Sequence, residues 1–449
     1  MKRFYHTWVR ALTSACVAVV LTEVSWSQSL TWIGIPGLSV TPFDVSADGS
    51  VVVGQYGIYY FDQTANLRAF RWTAETGVQD LHSLVGGRPE NESVATAVSA
   101  DGSVVVGYVS NERNRNRRPD ERLLYAFRWE NGAVQLLTPP RARDISVALD
   151  VSADGSVVVG WATGNFPTSD AMIHPVRWVD GALQVLEIPD LTRVGQALVV
   201  SADGSSVAVE GAVLVNERPA RRAFVWRNGA VQMLPSPFGF AWPTGISADG
   251  SVVVGGSQSL DDRLPVSTRS TRFIAIHPAC RWENGELSVL NTPEGMRAVA
   301  HDVSADGSVV VGGIDPGLGR NDFYYNVRYI RAVRWTQAGI EDLNQTYADL
   351  LRDGSILVFA HAVSPDGRYI VGTGFNAATG RQEAFLLDTG FPIRGDVTHS
   401  GCVDDEDLLR VLLAFGERGY HNLDVNWDGW VDDADLLEVL FNFGHGCSR

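Results

Sequence analysis

The chain is short of basic charge, of cysteine and of long apolar runs. Its 36 Lys and Arg face 52 Asp and Glu, giving a formal net charge of −16. Phosphate backbones are held by basic faces, so this balance excludes nucleic acid as an expected partner. Beyond residue 21 no stretch approaches the length needed to cross a bilayer. Neither a Gly-x-Ser-x-Gly elbow nor a His-Glu-x-x-His pair occurs, which removes two common routes to hydrolysis. There are only four cysteines. Cys16 lies in the N-terminal segment, Cys280 stands where a related strand has Phe70, and Cys402 and Cys447 bracket the C-terminal segment. Cys280 therefore reads as a small buried residue, and the last two as either a bridge clasping that segment or two free thiols.

What the chain has in quantity is repetition. Ser-Ala-Asp-Gly stands at 46–49, 99–102, 152–155, 201–204, 247–250 and 304–307, and Ser-Pro-Asp-Gly at 364–367. The steps between the serines are 53, 53, 49, 46, 57 and 60 residues, a period typical of repeat architectures. Each copy lies between two β-branched runs, as in Ala148-Leu-Asp-Val-Ser and Ser156-Val-Val-Val-Gly. Asp-Gly between such runs predicts a hairpin, because Gly reaches positive φ without steric cost. A second signature, Ala126-Phe-Arg-Trp129, precedes Asn131-Gly132 and the run Val134-Gln-Leu-Leu137. It recurs at Trp72, Trp178, Trp226, Trp282 and Trp335. Two hairpins give four strands per repeat.

Seven copies of four antiparallel strands predict an all-β fold, a seven-bladed β-propeller over 28–390. Four residues before each turn serine stands Pro42, Ala95, Ala148, Ala197, Pro243, Ala300 or Ala360, all small, as crowding at a central axis demands. The seventh repeat lacks a fourth strand after Ala384-Phe-Leu-Leu387, and a surplus strand, Leu30-Thr-Trp-Ile33, precedes the first turn. The N-terminal strand is thus expected to complete the last blade and remove two open sheet edges.

Residues 1–27 read as a signal peptide, with Lys2, Arg3 and Arg10 before a short apolar core and small residues at Ser25 and Ser27. An uncleaved anchor is the alternative. The mature protein is expected to be secreted, extracellular or at the cell surface, with no membrane span after cleavage.

Inside the propeller, the variable pieces link second and third strands, and per-repeat insertions on one face often mark a binding surface. Arg113, Arg115, Arg117 and Arg118 form either an anion site or a solvated loop, and Tyr324 and Tyr325 either stack on sugar rings or pack their own loop. His301 and His361 hold equivalent inner-strand positions and could share a metal. Phe43, Thr96, Leu149, Leu198 and Thr244 fill that place elsewhere, so packing histidines are the expected reading. Asp44, Asp150 and Asp302 recur two residues before the serine, and are expected to bond neighbouring backbone rather than act as paired acids.

Segment 391–449 differs in kind, with twelve acids against four arginines. Two twelve-residue loops share one register, 396–407 and 424–435, each followed by an apolar run, 408–415 and 436–443. Oxygen donors at positions 1, 3, 5, 9 and 12, a carbonyl at 7 and Gly at 6 make the pattern of a calcium loop. In the second loop these are Asp424, Asn426, Asp428, Trp430 (carbonyl), Asp432 and Asp435, around Gly429. In the first they are Asp396, Thr398, Ser400, Cys402 (carbonyl), Asp404 and Asp407, around Gly401. Two Ca2+ ions are expected, held more weakly in the first loop, where Thr398 and Ser400 are neutral. A small all-α module needing its ions to fold is the expected form.

The repeats, Asp44-Val-Ser-Ala-Asp-Gly-Ser-Val-Val-Val-Gly54 with Ala69-Phe-Arg-Trp72, resemble the bacterial extracellular HAF repeats over nearly all of 30–388. The strict His-Ala-Phe triplet is absent, His174-Pro-Val and His277-Pro-Ala being nearest. That resemblance implies export and a propeller-like fold, without an agreed activity. The tail resembles a type I dockerin, in which Asp closes position 12, here Asp407 and Asp435. It implies calcium-dependent docking to a cohesin. Positions 10 and 11 are Asp405-Glu406 and Asp433-Ala434 where cellulosomal dockerins carry Ser-Thr-like pairs, so partners beyond a cellulosome scaffold are expected.

Two functions follow as expectations. One is a secreted, non-catalytic binding or surface-display protein whose propeller face recognises a protein or polysaccharide and whose tail docks through calcium. The other is a dockerin-borne carbohydrate-active hydrolase or lyase with acids on the long-link face. Fold alone does not decide between them.

Overall fold

The computed structural model describes residues 28–60, 63–87, 91–110, 123–139, 144–164, 166, 172–215, 218–236, 239–259, 278–315 and 329–447. Residues 1–27, expected to be a signal peptide, the arginines 113, 115, 117 and 118, and Tyr324 and Tyr325 lie outside the described residues.

The repeated turn is built the same way in each copy. The Ser46 hydroxyl donates to Asp48 Oδ1 at 2.8 Å and accepts from the Val51 N–H at 3.0 Å, while Asp48 Oδ1 also accepts from the Ser50 N–H at 2.9 Å. Ser99, Ser152, Ser201, Ser247, Ser304 and Ser364 repeat this bond to the Asp two residues on. The turn glycine needs both its freedom and its size. Gly102 has φ +72, and a Cβ there would fall 2.5 Å from Val51 of the preceding blade.

Every sheet has four strands, and there are seven sheets. Six use consecutive strands. The seventh joins Ile356–Val363, Tyr369–Asn376 and Arg381–Asp388 to the first strand of the chain, Ser29–Ile33. Ser29 lies opposite Asp388 and Ile33 opposite Ala384, so the expected ring closure is the observed one. Ile33 is buried with Val45, Phe70, Val371 and Ala384, a cluster spanning last and first blades. Arg368 takes the place that serine holds in the other turns and grips Asp388 with bonds of 2.7 and 2.8 Å, tying the seam blade's second strand to its third.

The core is distributed between blades rather than gathered at one centre. Phe70, Phe127 and Phe385 are fully buried, each contributing roughly 1.5–3 kcal/mol. The Arg-Trp pair of the second signature links neighbours. Arg128 Nε donates to the Gly155 carbonyl of the next turn at 3.1 Å, and Arg281 does the same to Gly307. Arg177 lies 4.6 Å over Trp226 of the next blade, and Arg71 5.8 Å over Trp129.

One short helix, α1 (Leu343–Thr346), N-capped by Asp342 and followed by a 3-10 turn at Ala348–Leu351, fills the link into the last blade. After the propeller come α2 (Asp405–Leu413) and α3 (Asp433–Phe441). Both start three residues before the apolar runs at 408 and 436, inside the loops, because Asp404 and Asp432 cap them in reciprocal boxes with Asp407 and Asp435. Cys402 and Cys447 are bridged, and Cys280 is free and buried. The two halves interlock: Val403 bonds with 444–445 after α3, and Val431 with 416–417 after α2. Their core is Val397, Val403, Val411, Val431 and Val439. Among the described residues, no helix is long and apolar enough to cross a membrane.

Candidate functional site: the axial channel, its rim and the twin acidic loops

Each inner strand breaks register three residues before its turn serine. At three of these β-bulges the residue there reaches a carbonyl of the next blade. Thr96 Oγ1 donates to the Ala148 carbonyl at 3.1 Å and Thr244 Oγ1 to that of Ala300 at 2.9 Å. His301 Nδ1 meets the Ala360 carbonyl at 2.7 Å, the same bond made by a ring. His361 stacks on His301 with centroids 5.3 Å apart and reaches Thr373 Oγ1 at 3.1 Å. Desolvation, then the neighbouring His301, pushes His361 down to about 3, and desolvation lowers His301 too. Both are therefore neutral packing rings. The rings lie face to face, 12° from parallel, with His301 Nδ1 and His361 Nε2 each engaged by a protein oxygen, which is the packing arrangement expected of them.

The three recurring acids staple blades together. Asp44 accepts from the Val45 N–H and, across the blade gap, from that of Val98, each at 2.8 Å. Asp150 does so with Val151 and Val200, and Asp302 with Val303 and Val363. Desolvation in the channel raises all three, Asp150 to about 6 and Asp302 to about 7. Asp44 is raised well above the usual carboxylate range, with repulsion from Asp150 and Asp302 adding to its desolvation. The expected backbone-bonding role is what they perform.

On the turn side the second residues of the turns form a rim. Each donates its N–H to the next: Ala47 to Ala100 (2.9 Å), Ala100 to Ala153 (3.0 Å), Ala153 to Ala202 (2.9 Å), Ala202 to Ala248 (3.2 Å), Ala248 to Ala305 (2.8 Å) and Ala305 to Pro365 (2.9 Å). Pro365 has no N–H to pass on. The rim is therefore open at one point, between the last and first blades.

The two acidic loops close in one manner. In the second, Asp424 accepts from the N–H groups of Asp428 and Gly429, and Asp435 from those of Val425, Asn426 and Asp432. Asn426 Nδ2 donates to Asp428 at 2.9 Å, and Asp432 caps α3. In the first, Asp396 accepts from Ser400 and Gly401, and Asp407 from Thr398 and Asp404. The Ser400 hydroxyl donates to the Cys402 carbonyl at 2.9 Å, and Asp404 caps α2. Asp396, Asp407, Asp424 and Asp435 are buried. Burial, then repulsion from Asp435 and Asp428, pushes Asp424 up to about 7, and burial raises Asp435. Among the described residues, no three His, Cys, Asp or Glu side chains stand as a ready metal cage. A calcium loop draws equally on amide, hydroxyl and carbonyl oxygens, which both loops offer at the expected positions.

The segment sits on the rim. Trp427, the fourth residue of the second loop, has φ +61, is 8% exposed and packs on Ala47, Ala100 and Ala248, with Ala153, Ala202, Ala305 and Tyr420 around it. It closes the channel end that Asp44, Asp150 and Asp302 line. His399, the matching residue of the first loop, favours the charged form of Asp306 and Arg394 that of Asp366, while burial, then the charge of Asp154 on the propeller, raises Tyr420. A cavity of roughly 430 Å³ remains between Arg394, His399, Tyr420 and the turn acids Asp249, Asp306 and Asp366. Sequence reasoning missed Trp427 and Tyr420; a tryptophan at a non-ligating position of a polar loop was the available signal.

Away from the propeller, Leu409, Leu412, Leu413 and Phe415 are exposed, as are Leu437, Leu440, Phe441 and Phe443. The two sets match at a spacing of 28 residues. Each helix thus has one apolar side in its own core and another facing out.

Seven four-stranded sheets closed by the N-terminal strand define a seven-bladed β-propeller. No family model matches the chain, and no curated protein matches it. Among solved structures, it is similar to the β-propeller domain of the Trilobed protease from Pyrococcus furiosus, at 8% identity over 79% of this chain and 94% of that one, TM-score 0.47. The putative TolB from Agrobacterium tumefaciens is 13% identical over 59% of this chain and 88% of that one, TM-score 0.38. An acylaminoacyl peptidase from Pyrococcus horikoshii is 10% identical over 78% of this chain and only 51% of that one, TM-score 0.46. These are likenesses of fold alone.

Proposed function

We propose that this is a secreted, non-catalytic recognition protein. Its propeller presents the long-link face to a protein or polysaccharide, and its dockerin-like tail docks to a protein partner of cohesin type with two calcium ions in place. The observation that carries the reading is the doubled apolar surface of α2 and α3, exposed at matching positions beside two loops whose acids are buried. Six large apolar side chains exposed on two nine-residue helices, with Phe415 and Phe443 just beyond their ends, are of the kind that marks a protein-binding site.

The donor set fits calcium. Asp424, Asn426, Asp428, the Trp430 carbonyl, Asp432 and Asp435 would hold one ion, and Asp396, Thr398, Ser400, the Cys402 carbonyl, Asp404 and Asp407 the other. A bound ion neutralises carboxylates that otherwise repel one another in a desolvated loop. Holding both loops rigid sets the angle between α2 and α3, and so the shape of the patch. The third strand of each blade runs back to the turn face, so the tail leaves from that face at Asp388, whereas the second strands end at the opposite face. Among the described residues, the three recurring channel acids are tied up structurally, both oxygens of Asp44, Asp150 and Asp302 being engaged by backbone N–H groups.

Calorimetric titration with calcium is expected to show two sites, the one at 424–435 lost in Asp424→Ala/Asp435→Ala. Unchanged uptake in that variant refutes the loop assignment. A panel of immobilised cohesins is expected to retain the protein with calcium and release it with chelator, and Leu413→Asp/Phe441→Asp to abolish retention. A polysaccharide-degradation screen of the mature protein is expected to be silent.

A further inference from the structure

We infer that the C-terminal module is the propeller's own plug: Trp427 closes the turn-side mouth of the axial channel, and the second acidic loop must be in its closed form for the ring to fit. The calcium part of this inference rests on the proposed function above; the plug itself rests on the packing alone.

A polar loop has no reason of its own to carry a tryptophan at its fourth position. That residue's oxygen and side chain are outside the ligand pattern, and its left-handed backbone, φ +61, costs a β-carbon-bearing residue about 1 kcal/mol or more. The return is a seat made by seven turns. Alanine at the second turn position in six repeats, and proline in the seventh, leave a shallow apolar cup around the axis. Trp427 fills it, in contact with Ala47, Ala100 and Ala248. The same small residues that let the rim N–H groups reach their neighbours therefore also make room for the indole.

The loop fixes the aim. Asp424 accepts from the N–H groups of Asp428 and Gly429 on one side of Trp427, and Asp435 from Val425 and Asn426 on the other. Residues 425 and 426 are thus held from one end of the loop and 428 and 429 from the other, and the residue between is turned outward. His399 repeats the left-handed geometry in the first loop with φ +57, where it is exposed and lines the same cavity as Asp306 of the sixth turn. The same left-handed turn is used in both loops, and in the second it places an indole in the centre of the rim. Releasing the loop frees residue 427 from both sides and withdraws the indole from the cup.

The test uses the full mature chain. Hydrogen exchange is followed at the rim amides of Ala47, Ala100, Ala153, Ala202 and Ala248, with and without calcium, in wild type, Trp427→Ala and Ala100→Glu. The last variant blocks the cup from the propeller side and leaves the loops untouched. Expected are at least tenfold faster exchange at the rim in both variants, and the same in wild type after chelation, with calorimetric calcium uptake retained in both variants. Subtracting the Trp427→Ala emission spectrum from wild type isolates one indole, which is expected to be blue-shifted with calcium and red-shifted without it. Unchanged rim exchange in both variants overturns the plug. Rim exchange that responds to the variants but not to chelation, in protein that takes up calcium, overturns the coupling to the loop. Absence of calcium uptake in wild type overturns the loop reading instead, and the variants then decide the plug by themselves.

Discussion

The turn serines, alanines and acids each have a separate duty, and single changes separate them. Ala153 donates its N–H to Ala202 in the rim, whereas Pro365 holds the equivalent place with none to donate. Proline is thus sterically admitted at that position, so Ala153→Pro isolates the bond. It is expected to lower stability in urea by ~1–3 kcal/mol, the cost of an orphaned carbonyl. The channel acids give a pH signature. Asp150 and Asp302 hold their protons in the folded state up to about 6 and about 7, whereas an unfolded Asp releases its proton near ~4. Folding therefore binds protons in that window. The stabilisation is complete below the unfolded value and is lost as pH rises through the folded ones. Scanning calorimetry is expected to give a higher propeller melting temperature at pH 5 than at pH 8, with Asp302→Asn flattening the difference. A melting point that rises steadily from pH 5 to 8 would contradict the assignment.

At the scale of strands and helices, the seam is the element on which the ring depends. Removing residues 30–33 strips Trp32 and Ile33 from Phe385 and Ala384 and bares the strand Arg381–Asp388 as an edge. The expected loss is on the order of 3–5 kcal/mol, as for a large core truncation, together with aggregation. Trimming a surface link of equal length is the control. Strand number, hairpin order and this closure were all legible in the chain, because Ser-Ala-Asp-Gly is a local structure whose residues are chosen by local forces. The bulge was not: Phe43, Thr96, Leu149 and His301 share no chemistry at that position, and what unites them is a break in strand register. α2 and α3 begin three residues before the apolar runs that mark them, because Asp404 and Asp432, ligand positions in the loop pattern, also cap the helices. Asp342 before Leu343 was a cap of the same kind, and it marks α1. The seat of Trp427 was invisible for a plainer reason. It is assembled from turns about fifty residues apart, and no window of sequence contains it.

At the scale of the molecule, propeller and tail are coupled through the rim, and the tail in turn is clasped by Cys402–Cys447. That bridge closes a loop of 45 residues. Chain-entropy reasoning assigns it about 4 kcal/mol, so Cys402→Ser/Cys447→Ser is expected to melt the tail first, visible as an early calorimetric transition absent from wild type. The pairing of Ser29 with Asp388 has a mechanical consequence as well. The strand that enters the ring and the strand that leaves it reach the turn face side by side, at the same end of their shared ladder. Tension applied between residues 28 and 389 would peel that ladder open one rung at a time, like a zip, under little force. A load taken up on the long-link face and passed to a tail held by its helices bypasses the zip altogether, entering through the body of the ring and leaving through the indole in its hub.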